Sequence, residues 1–471
     1  MENETGLGIV SLLPVIIALF LAFYTRNATF SLLIGCLIGV MLEGFDPATG
    51  FVNLTVKALG NRDFIWVLMI EVAVGIMIAL YIRAGVIDGF TKWAMLKVKT
   101  RTSSTGFVWL MGIFIFFSDY FSPLFCGPIA RPITDKYKVS REMLSYLLDS
   151  GSAPVCTIIP LSGWAIFIAG LFVGYGPIDS VETGIQLFIH AIPYNFYGWL
   201  AVIMAGLFAF GLIPHFGPMK KAEERAIKEG KVLRDGAIPL AGEEFNDITT
   251  IEGKAPNLLI YLFLPVIIII VIAMGSFFLI GNAKILEAFL CAVLYMTVAM
   301  VIGNYFKGIN DAIDVMMKGI KAILPAILIL AMAYCINSVS KSLGAQEYII
   351  QITQSWMTPF LIPVITFVTA GAISFFTGTS WGSYAIVIPI TLPIAFNMSG
   401  GIVNSLVLIT VGAIVGGGLF GDHCSPVSDT TCLSSFGAGA DHMDHVSTQL
   451  PYAMVGGILA LLLYIVFMFL L

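Results

Sequence analysis

Gly421-Asp422-His423-Cys424-Ser425-Pro426-Val427-Ser428-Asp429-Thr430-Thr431 closes the longest charge-free stretch of this chain, which runs from Tyr348 to Gly421. Two carboxylates, an imidazole and four hydroxyls arrive together there, interrupted by a proline. Moving one carboxylate to the middle of a bilayer costs about 2.5–3.5 kcal/mol on insertion scales. A cluster of this kind in an apolar chain points to handling a cation or a proton rather than to supporting a fold.

The rest of the chain is of membrane type. Charged residues make up 11% of it and hydrophobic residues 58%, where a soluble domain carries about a quarter charged. Charge-poor segments at Leu7–Tyr24, Asn257–Ile280, Ala322–Ser340 and Tyr452–Leu471 each approach the roughly 20 residues that span a bilayer. The first segment does not read as a cleaved signal, because Glu2 and Glu4 make its flank acidic and similar segments follow. Cys36, Cys126, Cys156, Cys291, Cys335, Cys424 and Cys432 form no CxxC pair and read as small buried hydrophobes. A net charge of −5 gives no reason to expect nucleic acid, and no lipidation motif is present.

Spans are expected near 7–24, 28–42, 63–82, 104–123, 154–173 and 196–214, and near 257–280, 285–303, 322–340, 358–376, 402–420 and 450–471. Segments 50–60, 86–97, 308–320 and 345–356 read as interfacial. Segments 124–150 and 377–397, rich in Pro, Gly, Ser and Thr, read as broken or re-entrant. The domain reading is a first membrane repeat at 1–214, a linker at 215–256 and a second repeat at 257–471. Lys220, Lys221, Arg225, Lys228, Lys231 and Arg234 place the linker in the cytoplasm. Asp179 and Glu182, without a neighbouring base, place 174–194, read as a loop, outside.

The halves look alike. Phe116-Phe117-Ser118-Asp119 matches Phe375-Phe376-Thr377-Gly378, roughly 260 residues apart. Ser152-Ala153-Pro154-Val155 matches Ser425-Pro426-Val427-Ser428, and Leu161-Ser162 echoes Leu433-Ser434. Weak internal repeats with interrupted helices at matching positions point to a transporter site. Broken helices free carbonyls, which with hydroxyls coordinate sodium, while helix N-termini attract anions. Such backbone is tolerated at membrane depth only when buried or lining a cavity.

The candidate ion-binding and proton-coupling residues are Asp149, Ser152, Thr377, Thr379, Ser380, Asp422, Ser425, Ser428, Asp429 and Thr430. Asp149, Asp422 and Asp429 are the expected sodium ligands. Burial favours the neutral acid and a nearby cation the charged one, so one buried carboxylate can let protons and sodium compete. Glu71, Asp119, Arg131 and His423 form a second tier. Glu71 reads equally as a carboxylate bonded to a neighbouring helix. Arg131 reads as a structural or interfacial pair before a ligand for a substrate carboxylate. His423 reads as a satisfied structural group or as a titrating one. Asp441-His442-Met443-Asp444-His445 fits no zinc spacing and reads as a solvent-facing or pH-sensing loop. Gly418-Leu419-Phe420-Gly421-Asp422 is GxxGD, not the GxGD of intramembrane proteases, and no nucleophile elbow or nucleotide-binding loop is present.

The runs Gly421–Thr431 and Thr377-Gly378-Thr379-Ser380-Trp381-Gly382, with Gly127–Pro132 and Asp149–Val155, resemble the NhaC-type sodium/proton antiporter family over nearly the whole chain. Gly151 stands where many relatives carry Thr, and Gly163 where many carry Ser. The resemblance implies an all-α polytopic protein of the cytoplasmic (inner) membrane, with two inverted-topology repeats, broken or re-entrant helices, a scaffold and a mobile transport unit. It implies a secondary transporter rather than an enzyme, with no cofactor, sodium and protons as transported species and the lipid bilayer as surroundings; a homodimer is compatible. Sodium/proton antiport is the first reading. Sodium- or proton-coupled transport of a small organic acid or amino acid is the second, and an intramembrane hydrolase a distant third.

Overall fold

The computed structural model describes residues 7–470 except Arg26, Phe117, Leu161, Asn246, Glu252, 281–283, Ser355 and Met357. Glu2 and Glu4, and Phe117 and Leu161 of the repeat motifs, lie outside the described residues.

The described chain is helical, apart from one isolated bridge between Pro239 and Asp441. It opens with α1 (Leu13–Thr25), α2 (Ala28–Leu42), α3 (Pro47–Leu59), α4 (Arg62–Arg83) and α5 (Val86–Ala94). Next come α6 (Arg101–Phe114), α7 (Phe121–Lys136), α8 (Arg141–Ser150), α9 (Ala153–Ile158), α10 (Gly163–Phe172), α11 (Val181–Ala191) and α12 (Phe196–Ala209). The polar segment carries α13 (Gly217–Glu229). The second half holds α14 (Leu264–Ile280), α15 (Ile285–Ile302), α16 (Ile309–Ala322), α17 (Leu324–Ser342), α18 (Ala345–Gln354) and α19 (Ile362–Thr377). It ends with α20 (Ser380–Met398), α21 (Ser405–Cys424), α22 (Asp429–Ala438) and α23 (His442–Leu470). Among the described residues seven helices are long and apolar enough to cross a membrane, or nine if each of two bent pairs is one span. Phe278 and Leu279 on α14, Leu294 on α15 and Leu462 on α23 are exposed, as lipid-facing side chains are.

Local chemistry explains several boundaries. Asn27, Asp46, Ser140, Asn404 and Ser428 each accept a backbone N–H in the first turn of the helix they precede, which satisfies donors that a helix start leaves bare. Gly378 ends α19 at φ +69°, a conformation open to glycine and strained for most side chains. The segments expected at the interface form the short helices α3, α5, α16 and α18.

Three expectations are corrected. Residues 377–397 are not a broken element but mostly one 19-residue helix, α20, which accommodates Pro389 and Pro393. Segment 174–194 is not all loop, since α11 lies within it and bends by 52° into α12. The last span begins at His442 rather than near 450, so the His442–His445 run is buried helix and not a solvent-facing loop.

The element order repeats. In the first half α6, a break at 115–120, α7 with Pro128 and Pro132, α8, a break at 151–152 and α9 follow one another. In the second, α19, a break at 378–379, α20 with Pro389 and Pro393, α21, a break at 425–428 and α22 do the same. The halves interlock where α7 crosses α22: a Cβ on Gly127 would lie 2.3 Å from the carbonyl carbon of Gly437. Only glycine allows that approach. Two apolar cores result, one built mainly from α2–α8, α14–α17 and α22, the other from α9–α12, α18–α21 and the end of α23. Each draws on both halves, and Phe376 packs against both.

The polar segment is held down by ion pairs and hydrogen bonds. Arg225 donates to both oxygens of Glu142 at 2.9 Å. The backbone N–H of Ser140 donates to Glu223 at 2.9 Å, and Arg234 pairs with Asp444 at 2.9 Å.

Candidate functional site

The breaks of both halves bring four aspartates into one buried region. Asp119 and Tyr120 sit in the break before α7, Asp149 near the end of α8, Asp422 in the last turn of α21 and Asp429 in the first turn of α22. Asp119, Asp149 and Asp422 are each 4% exposed or less, and Asp429 is half-buried. The charge of Asp429 acts on Glu71, Asp119 and Asp422, and that of Asp149 on Asp422 and Asp429.

Each aspartate has its own setting. Asp149 Oδ2 accepts from Gln449 Nε2 at 2.6 Å and from Thr431 Oγ1 at 3.2 Å, and Oδ1 from Ser434 at 3.4 Å. Asp422 Oδ2 accepts from Ser380 at 3.0 Å, while its Oδ1 has no hydrogen-bond partner. Asp429 Oδ2 accepts from the Tyr120 hydroxyl at 2.7 Å and Oδ1 from the N–H of Thr430 at 2.7 Å. Asp119 Oδ2 and both oxygens of Glu71 have no partner, and Glu71 faces Leu124, Ile323, Ala326 and Phe436. Among the described residues no Lys or Arg pairs with any of these five acids. His423 is, among the described residues, the one basic group within 4.0 Å of any of them, 3.8 Å from Asp149.

Helix ends shape the field. Asp429 lies at the N-terminus of α22, whose dipole favours an anion. Asp422 lies at the carbonyl-rich end of α21, which favours a cation beside it. Unlike charges are thus supported a few residues apart.

Most other candidate hydroxyls serve the backbone. Thr377 Oγ1 donates to the carbonyl of Ile373, Ser152 to that of Asp149 and Ser425 to that of Phe375. Thr379 starts α20, accepting from Gly382 at 3.5 Å. Ser428 starts α22 and lies 3.1 Å from the Thr430 hydroxyl. Of the hydroxyls singled out from sequence, Ser380 donates to Asp422 at 3.0 Å, and Ser428 also faces that carboxylate. Arg131 Nη2 donates to the carbonyls of Phe436 at 3.0 Å and Gly437 at 2.8 Å, so it fastens the end of α22. His423 is held by the Tyr197 hydroxyl at 2.8 Å and Ser150 at 3.2 Å.

Among the described residues no three His, Cys, Asp or Glu side chains gather tightly enough to hold a metal ion together. The aspartates are neighbours rather than a shared ligand set. A sodium ion here would take much of its coordination from carbonyl and hydroxyl oxygens, which suit a hard cation. Sequence reasoning missed Tyr120 and Gln449. Tyr120 was signalled by its place beside Asp119 in the break, and Gln449 by being an amide in an otherwise apolar last span.

A polytopic helical protein that gathers unpaired buried acids at helix breaks, with no nucleotide-binding motif, is a secondary active transporter. Residues 176–469 match the Na+/H+ antiporter family, and the chain belongs to that family. It is 30% identical to a Haemophilus influenzae protein described only as uncharacterised, over 94% of this chain and 88% of that one. It is 28% identical to the Na+/H+ antiporter NhaC of Alkalihalophilus pseudofirmus, over 37% of each chain. It is 27% identical to the malate-2H+/Na+-lactate antiporter of Bacillus subtilis, over 38% of this chain and 37% of that one. The family match takes in Asp422 and Asp429 but begins after Asp149.

Proposed function

We propose that the chain exchanges sodium for protons across the cytoplasmic membrane, and that Asp422 and Asp429, with Asp149 behind them, carry the exchange. The observation that carries this reading is the group of buried acids with no Lys or Arg partner among the described residues and with bare oxygens on Asp119 and Asp422. Buried carboxylates must be neutralised by something. Protons and sodium neutralise the same oxygens in turn, which is what an exchanger requires. Asp149, with three side-chain donors, positions the gathered acids, while Asp422 and Asp429 meet the ion. No cofactor enters this scheme.

The matched order of breaks supports two repeats inserted with opposite topology, and the two apolar cores support a scaffold moving against a transport unit. The basic segment at 215–256 lies on the cytoplasmic side in this reading, and a homodimer is compatible with it. The second reading, coupled movement of a small organic acid, is favoured by the name of the Bacillus subtilis relative. Reconstitution into liposomes separates the two. A sodium gradient should drive proton flux, followed by a pH dye, without any organic solute. Flux that appears only when malate, lactate or an amino acid is supplied would establish the second reading instead.

A further inference from the structure

The polar run at the start of α23 is not part of the exchange site as described, yet it is built into the interior. His442 is 3% exposed and His445 is fully buried. Both rings meet one hydroxyl on α22. Nδ1 of His445 lies 2.8 Å from Ser435 Oγ, and Nδ1 of His442 lies 3.1 Å from it. The same hydroxyl lies 2.8 Å from the carbonyl oxygen of Thr431.

The outer partners decide where the ring hydrogens sit. Nε2 of His442 is 2.8 Å from the carbonyl of Pro426. A carbonyl only accepts, so Nε2 carries the hydrogen. Gln449 Nε2 faces the carbonyl of His423 at 2.7 Å and Asp149 Oδ2 at 2.6 Å, so that end is the NH2 group. Its Oε1 therefore accepts from Nε2 of His445 at 2.8 Å. Two neutral rings are thus both bare at Nδ1. Three acceptors, the Thr431 carbonyl and two ring nitrogens, face the single hydrogen of Ser435. A proton added at either Nδ1 becomes a donor to Ser435 Oγ, which has lone pairs free, while the hydroxyl keeps its hydrogen on another acceptor.

We infer that His442, Ser435 and His445 form a second proton-binding site, coupled to Asp149 through Gln449. The inference rests on the exchange reading above. Gln449 has Asp149 at one end of its amide and His445 at the other, so the charge of Asp149 acts on the rings against the cost of burying an imidazolium. An anionic Asp149 favours the extra proton on the rings, and a cation bound at Asp422 and Asp429, whose charges couple to that of Asp149, favours its release. Gln449 transmits charge state and orientation, not the proton itself, because an amide would have to become an imidic acid to pass one.

The other charged neighbours are mostly engaged. On α8, Arg141 pairs with Asp135 and donates to the carbonyl of Ala438, and Glu142 pairs with Arg225 of α13. On α13, Glu223 pairs with Arg101. Arg131 of α7 is bonded to the carbonyls of Phe436 and Gly437. On α21 stand His423 and Asp422, and on α22 stands Asp429. On α23 itself Asp444 pairs with Arg234. Asp441 accepts from the N–H of Ile238, Met443 and Asp444, and its charge acts on His442.

The test counts protons. Sodium chloride is added to the purified full-length protein in weakly buffered detergent solution, with choline chloride as control, and release is read with a pH indicator. The unsubstituted protein should release more protons than His445→Gln, which keeps the donor to Gln449 but removes Nδ1, and more than Ser435→Ala. Equal release with the same pH profile in all three would overturn the inference and leave the exchange reading standing. No sodium-evoked release from any of them would overturn both. Should the variants not fold, infrared difference spectra of unsubstituted protein carrying nitrogen-15 histidine decide. Imidazolium bands should appear on acidification and fade on sodium addition, and their absence would overturn the inference.

Discussion

Replacing Asp429 by Asn separates an exchange role from a structural one. Asn keeps the shape and lets Oδ1 continue to accept from the N–H of Thr430, now 2.7 Å away. The NH2 group would face the Tyr120 hydroxyl, which now donates at 2.7 Å and can turn to accept. Two hydrogen bonds to a charged group, about 1.5–3 kcal/mol each, become neutral bonds of about 0.5–1.5 kcal/mol. The favourable field at the start of α22, about 0.3–1 kcal/mol, is also lost. Against this stands relief from holding a largely desolvated charge with no cationic partner, which is several kcal/mol in the stabilising direction. The opposing terms are similar in size, so the expected net change is within about 2 kcal/mol. Sodium-driven proton flux should nevertheless fall to the level of empty liposomes, because an amide neither gives up a proton nor offers a charge to sodium. The assay is flux in proteoliposomes and thermal melting on one purified preparation. Normal flux in Asp429→Asn refutes the reasoning, and so does flux that declines only in step with a large loss of melting temperature.

Other substitutions test neighbouring statements. Arg131→Lys loses the planar contact with the carbonyls at the end of α22, so melting should fall by the equivalent of about 1 kcal/mol with the apparent KM for sodium or an organic acid unchanged; a raised KM for an organic acid alone would make Arg131 a substrate ligand. Glu71→Gln removes a buried acid whose two oxygens have no partner, so the melting temperature should hold or rise, and a marked fall in thermal scans would count against an unpaired Glu71. His215, in the segment after α12, has its pKa lowered to about 4 by burial and then by Arg101. Glu223 lies 3.5 Å away, but Arg101 already neutralises it. The unfolded chain, titrating near 6.5, therefore binds this proton first, and stability should be lost as pH falls from about 6.5 toward 4. Melting curves across that window should be flatter in His215→Gln.

Much of the site was legible because its causes are local. Thr377–Gly382 and Gly421–Thr431 announced helix breaks through glycine, proline and hydroxyl chemistry, and the breaks fall there. Glu71 and Asp149 stood out as acids within apolar surroundings, and both are buried. Residues 441–445 were misread because dense polar residues normally mark solvent. Their burial depends on Ser435, Pro426 and Gln449 meeting every ring nitrogen. The twin prolines of α20 read as breaks for a similar reason, since local propensity disfavours proline inside a helix, yet the helix runs through both.

Sequence by itself determined a membrane protein with two matched sets of helix breaks and a concentration of acids beside them, because hydropathy and backbone chemistry act over a few residues. Tertiary structure decided which of those groups meet. Gln449 joins Asp149 from 300 positions away, and Tyr120 joins Asp429 from 309. Ser380 turns to Asp422, while Thr377, Ser152 and Ser425 turn to backbone carbonyls. A hydroxyl has the same composition in either role. Only the crossing of α7 with α22 and the packing of α8 against α23 decide whether a carboxylate, a carbonyl or an imidazole lies within reach.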